Sequence, residues 1–135
     1  SEQVLSRMFA ARRLSQRGLV TGGKDISNPG TLGTLGMLLE TSGKGAVVDP
    51  NLVPMPEGAD PVHWLLCYQG CGFVLTCRPE DADEVVRGLT SRELEAAVVG
   101  RVTDGHRLVL ASGGNEETLF DFGREALTGC GPPDL

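Results

Sequence analysis

Glycine sets the length of everything this chain can build. Nineteen of its 135 residues are glycine, about twice the average usage, and no Gly-X-Y period organises them. They fall in short clusters between segments of apolar periodicity. They therefore mark tight turns between brief elements rather than a flexible tail. A chain of 135 residues punctuated in this way is one domain, long enough to bury most of its surface without staples.

Between the glycines the periodicities alternate. Residues 2–17 place Val4, Leu5, Met8, Ala11 and Leu14 near helical spacing with arginines opposite, an amphipathic helix ended by Gly18. "LVTGG" reads as a short strand. From Pro29, the pattern Leu32, Leu35, Leu38, Leu39 predicts a helix stopped by Ser42-Gly43. "GAVVD" is a strand, and "PNLVPMPEGADP" is a proline-rich surface loop. "PVHWLLC" predicts a short helix or turn, and the apolar run "FVLTC" a central buried strand. "PEDADEVVRGL" opens with Pro and acids, as helix starts prefer. "EAAVVGRV" and "RLVLAS" read as strands joined through "TDGH" into a hairpin, by the Asp-Gly signal. A last helix is expected over Glu116–Leu127, with Leu119, Phe120, Gly123 and Leu127 inward. Strands separated by helices imply crossovers, so the fold class is α+β, one mixed β-sheet flanked by helices.

Charge excludes some functions. The net charge is −6, and no basic run interleaves with aromatics. Nucleic-acid binding, which needs a positive face for phosphates, is not expected. The five basic residues from Arg7 to Lys24 lie mostly on one predicted helix and read there as a solvated face. No apolar run reaches the ~18 residues that span a bilayer, so no membrane partner is expected. Of the four cysteines, Cys67, Cys71 and Cys77 lie in or beside the predicted buried strand, and Cys130 is remote. A zinc site would draw on Cys67, Cys71 and His63, but the paired short spacings of such sites are missing. Reduced thiols of a cytoplasmic protein account for them better.

The chemistry concentrates at "KDISNPGTLGTLGMLLE", Lys24 to Glu40. Pro29 suits a first helical position, and Asn28 or Ser27 can cap it. Helix capping alone leaves Lys24-Asp25 unexplained. It also leaves Gly30, Gly33 and Gly36 along one helix, each costing roughly 1 kcal/mol. Close approach of another backbone or of a ligand would offset that cost, and a helix start presents unpaired N–H groups suited to a phosphate. The loop Gly70-Cys71-Gly72 is a second point of access, or simply a turn where only glycine fits. Gly113-Gly114 is a weaker third. His63 and His106 assemble no nucleophile–base pair and read as surface or packing residues. Asp25, the carboxylate beside a glycine turn, is the candidate for chemistry, although it can also serve only to brace the loop through backbone N–H groups.

The stretches "KDISNPGTL", "YQGCGFVLTCRPEDADEVV" and "AAVVGRVTDG" occur in the order and approximate spacing of the C-terminal domain of the aminoimidazole ribonucleotide (AIR) synthase superfamily. The chain resembles that domain over essentially its whole length. Relatives include formylglycinamidine ribonucleotide amidotransferase, thiamine-monophosphate kinase, selenophosphate synthetase and a hydrogenase maturation factor.

The resemblance implies that residues 1–135 are a single C-terminal domain with a mixed sheet. It normally follows an N-terminal domain that dimerises and supplies most of the ATP site. That domain is expected to precede Ser1 in a longer protein, a homodimer when full length. Members use ATP and magnesium to phosphorylate or activate an oxygen or selenium atom, and the C-terminal domain closes the cleft with glycine-rich loops. By position, Asp25, Ser27 and Gly30 match the polar-and-glycine turn, and Gly70 and Gly72 the second loop. With Lys24 and Asn28 they form the expected cofactor-binding set around a small phosphorylated or anionic ligand. AIR synthase itself carries a His and three glycines where this chain reads Asp25 and "NPG". The isolated chain is expected to be inactive and to bind Mg-ATP weakly. The alternative is a non-catalytic small-ligand-binding or regulatory module that retains the fold.

Overall fold

The computed structural model describes residues 12–26, 30–66, 72–91 and 95–127. Residues 12–16 are helical and end at Gly18, whose φ of 73° is the left-handed stop that glycine adopts without strain. The rest of the predicted first helix lies outside the described residues. Then follow β1 (Gly22–Asp25), α1 (Gly30–Ser42), β2 (Gly45–Val48), a 3-10 turn (Pro50–Leu52), α2 (Pro61–Leu66) and β3 (Phe73–Thr76). A second 3-10 turn (Pro79–Asp81) leads into α3 (Ala82–Thr90), and β4 (Gly100–Thr103), β5 (Arg107–Ser112) and β6 (Asn115–Asp121) complete the fold.

The strands form two sheets. β1 and β3 make an antiparallel ribbon, and the other four form a mixed sheet in the order β4-β2-β5-β6. The α+β class with a mixed sheet and helices is therefore as expected. The "FVLTC" strand departs from expectation: it is half-buried in the ribbon rather than central in the main sheet.

Helix α1 covers one face of the main sheet. Leu35 and Leu39 pack on Ala46, Val48 and Leu108, with Val74, Val99, Leu110, Phe120 and Phe122 around them. Gly36 explains one of the glycines in this helix. A Cβ there would lie 3.0 Å from Leu127 Cδ2 and 3.2 Å from the Phe120 ring. Side chains, not a ligand, fill the space that Gly36 leaves. The buried Glu40 carboxylate accepts the Leu127 N–H at 2.6 Å, tying the segment after β6 to the same helix. A second, smaller cluster joins Leu14, Leu19 and Val85, and Gly88 of α3 lets Leu14 approach to within 2.8 Å of where a Cβ would stand.

Two further expectations fail, for identifiable reasons. β4 and β5 do not pair, because β2 lies between them, antiparallel to β4 and parallel to β5. The "TDGH" segment reverses the chain as its Asp-Gly signal implies, but it arches over the start of β2. Gly45 makes room for the arch, since a Cβ there would sit 2.6 Å from the Arg107 carbonyl oxygen. Lys44 Nζ donates to Asp104 Oδ1 at 2.8 Å across it, which holds the exposed Asp104 carboxyl below its ordinary pKa.

The helix expected over Glu116–Leu127 is instead strand β6 followed by a turn. Gly113 and Gly114 have φ of 58° and 85°. Positive φ at both central residues is what a tight two-residue hairpin requires. They are a β5–β6 turn, not the loop before a helix, and that explains them without a ligand.

Candidate functional site

The ribbon brings the described ends of the two expected loops, Ile26 and Gly72, together. Asp25 ends β1 opposite Phe73, the first residue of β3. Just beyond, the Ile26 N–H donates to the Gly72 carbonyl at 2.9 Å. The turn leading into α1 and the loop leading into β3 therefore leave the ribbon at the same end. Ser27, Asn28, Pro29, Gly70 and Cys71 lie outside the described residues.

At the far side of that turn, Gly30 opens α1, buried and with a φ of 78°. A side chain there would be strained, so a Gly is required by backbone conformation. No acidic residue occupies the first turn of α1, so no carboxylate of its own competes for the amides that a helix start leaves without intrahelical acceptors.

Lys24 and Asp25 are neighbours in sequence but lie on opposite faces of β1. Successive residues of a strand point to opposite faces. Lys24 pairs with Val74, on the half-buried face that packs toward the core. Asp25 points the other way and is exposed. Only Asp25 presents charge on the open face of the ribbon.

Among the described residues no group of three or more His, Cys, Asp and Glu side chains converges to hold a metal. Asp25 offers a single carboxylate, and the described residues do not by themselves fit a complete magnesium–ATP site. His63 is exposed near the end of α2. Cys67, Cys71 and Cys130 lie outside the described residues. Cys77 is a free thiol packed at the second cluster. Burial, with Asp81 and Glu80 nearby, pushes its pKa above the ordinary thiol value. Cys77 is therefore expected to alkylate more slowly than glutathione at pH 7, catching up only in more alkaline solution. Peptide mapping after timed iodoacetamide treatment measures this; equal rates at pH 7 would contradict it.

Two shallow depressions lie elsewhere, and neither is lined by Lys24, Asp25, Gly30 or Gly72. One, of about 500 Å³, is bounded by Asp83, Val86, Arg87 and Val98. The other, of about 350 Å³, is bounded by Arg107, Thr118, Asp121, Arg124 and Glu125. Beside the latter, His106 Nε2 lies 3.3 Å from Asp121 Oδ1. Sequence reasoning missed this cluster because it placed Asp121 in a helix. The Gly113-Gly114 pair between two strand-like runs was the signal that could have found it.

Residues 2–112 match the family described as AIR synthase related protein, C-terminal domain. The chain belongs to that family. It is 42% identical over 127 residues to the uncharacterized protein MJ0640 of Methanocaldococcus jannaschii, a match covering 94% of this chain and 39% of that one. Phosphoribosylformylglycinamidine synthase subunit PurL of Methanopyrus kandleri is 36% identical over 107 residues, covering 78% of this chain and 15% of PurL. The chain thus spans well under half the length of these relatives.

Among solved structures, Thermotoga maritima PurL complexed with ATP superimposes with a TM-score of 0.80 at 19% identity, covering 96% of this chain and 22% of that one. The hydrogenase maturation protein HypE of E. coli gives a TM-score of 0.69 at 19% identity, covering 83% of this chain and 38% of HypE. At such identities the likeness establishes the fold alone.

Proposed function

We propose that this chain is the C-terminal, ligand-facing domain of a longer ATP-dependent enzyme that phosphorylates or activates a small-molecule acceptor. The observation that carries the reading is the Ile26–Gly72 hydrogen bond, which sets two glycine-containing loops and the start of α1 at one end of the ribbon. In this reading Asp25 faces the cleft, and the amides of Ser27, Asn28 and Gly30 (Pro29 has none to offer), with those of Gly70 and Gly72, meet a phosphorylated or anionic ligand. Thermotoga maritima PurL has been obtained complexed with ATP and with FGAR, which supports a nucleotide and a small ligand as the two occupants.

Phosphoryl transfer depends on positioning and on electrostatic stabilisation of the transferring group. In the proposal, helix-start amides steady negative charge, and Asp25 orients the loop or accepts a substrate N–H. Magnesium and most contacts to ATP come from an N-terminal domain of the same protein, in a homodimer. The isolated chain is therefore inactive and a weak Mg-ATP binder.

Asp25→Asn in the longer protein removes the charge with little change in shape. Because Asp25 is exposed, stability should barely change. Activity, read as acceptor-dependent ADP release, should fall about tenfold, ~1.4 kcal/mol of transition-state stabilisation. Undiminished activity would leave the turn as a plain helix start, whereas a longer protein with no ATP-dependent activity of its own would favour the non-catalytic module.

A further inference from the structure

We propose that the sheet face opposite α1 carries a second binding site, for a phosphate group, held by the guanidiniums of Arg107 and Arg124 and the hydroxyl of Thr118. These residues border the depression of about 350 Å³ together with Asp121 and Glu125. The site shares no residue with the Asp25–Gly72 turn and stands independently of the function proposed for it. Four of its five lining residues follow residue 112, where the family match ends.

Three features make this a built site rather than a chance meeting of surface charges. The first is a β-bulge. Leu108 pairs with Phe120 and Val109 with Thr118, so Leu119 is an extra residue in β6. In a regular strand Thr118 and Asp121, three apart, would face opposite sides. The bulge cancels the alternation and brings both to one face, beside Arg107.

The second feature is the fate of the carboxylates. Asp121 is the cross-strand partner of Arg107, a position where opposite charges ordinarily pair. Instead Asp121 Oδ1 accepts the Gly123 N–H at 3.0 Å and faces His106 Nε2 at 3.3 Å. Glu125 Oε1 accepts the Asp121 N–H at 3.2 Å. The His106 ring reaches Asp121 only because residue 123 lacks a side chain: a Cβ there would lie 2.7 Å from it.

The third feature follows from the second. Among the described residues neither the Arg107 nor the Arg124 guanidinium makes a hydrogen bond or ion pair; Arg124 bonds only through its backbone N–H, to the Asp121 carbonyl at 3.0 Å. Arg107 and Arg124, whose guanidiniums have no partner, border one depression with Thr118, while the acids beside them are turned into the β6 turn. Planar, always-charged forks of this kind match the geometry of a phosphate.

The test is a titration of the isotope-labelled 135-residue chain followed by amide NMR shifts, at constant ionic strength. Inorganic phosphate and ribose 5-phosphate are the probes. Saturable shifts are expected at Arg107, Thr118, Gly123 and Arg124 with both. Tighter binding of ribose 5-phosphate would identify a phosphate ester as the better ligand, and equal binding a free phosphate site. Arg107→Gln and Arg124→Gln should each weaken binding roughly fivefold or more, while Arg78→Gln should not. Should a glutamine variant lose its folded spectrum, Arg107→Lys and Arg124→Lys keep the charge but not the fork and should also bind more weakly. Shifts that do not saturate, that spread equally to Arg78 and Arg87, or that persist unchanged in the variants would overturn the site.

Discussion

Leu108→Ala is expected to cost about 3 kcal/mol of folding free energy, within the range for emptying a fully buried leucine position. Leu108 is 0% exposed. It lies in β5 between Ala46 of β2 and Phe120 of β6, beneath Leu35 and Leu39 of α1. Truncation leaves a cavity bounded by three strands and a helix, none of which can collapse without breaking ladder hydrogen bonds. The melting temperature should fall by roughly 10 °C for a domain of this size. Val109→Ala, on the opposite and half-exposed face, is the control and should cost less than about 1.5 kcal/mol. Equal losses for the two variants in denaturant unfolding would contradict the placement of the core under α1.

Gly100→Ala is expected to be nearly as damaging, by a different route. A Cβ at residue 100 would stand 2.1 Å from the Val47 carbonyl oxygen and 2.8 Å from Val48 Cα. Both obstacles are backbone atoms of the neighbouring strand, so no rotamer change relieves them. β4 is an edge strand paired only to β2, and separation of the two strands is the available relief. The loss should be about 3 kcal/mol, at the upper end of overpacking costs. Amide exchange should show the β4 ladder losing protection before β5–β6. A variant as stable as the wild type would mean that β4 does not lie this close to β2.

Elements whose sequence signals were local and redundant were legible. α1 was readable because leucines recur at helical spacing up to Ser42-Gly43, and burial of Leu32, Leu35 and Leu39 follows the same spacing. α3 was readable from a proline and acids preceding an amphipathic run. The partnership of the two glycine loops was only half legible. Both loops could be named from the residues, but their joining through Ile26 and Gly72 depends on β1 pairing with β3, nearly fifty residues later. Sequence adjacency also does not convey that strand pleating sends the Lys24 and Asp25 side chains to opposite faces.

The sequence by itself determined where the chain turns, which residues are apolar enough to be buried, and that the resulting domain mixes helices with a partly parallel sheet. Tertiary structure alone decided who pairs with whom. "TDGH" specifies a reversal, but a reversal does not say whether the strands on either side touch. β2 enters between them because an apolar strand must find backbone partners on both of its edges, and Gly45 leaves the space for the connection to pass. The Glu-rich segment after Gly114 has helical propensity, yet it is a strand. β5 needed a partner on its outer edge, and the Phe120 ring completes the core against Gly36. Propensity differences of a few tenths of a kcal/mol per residue are outweighed by a row of ladder hydrogen bonds and a buried aromatic ring.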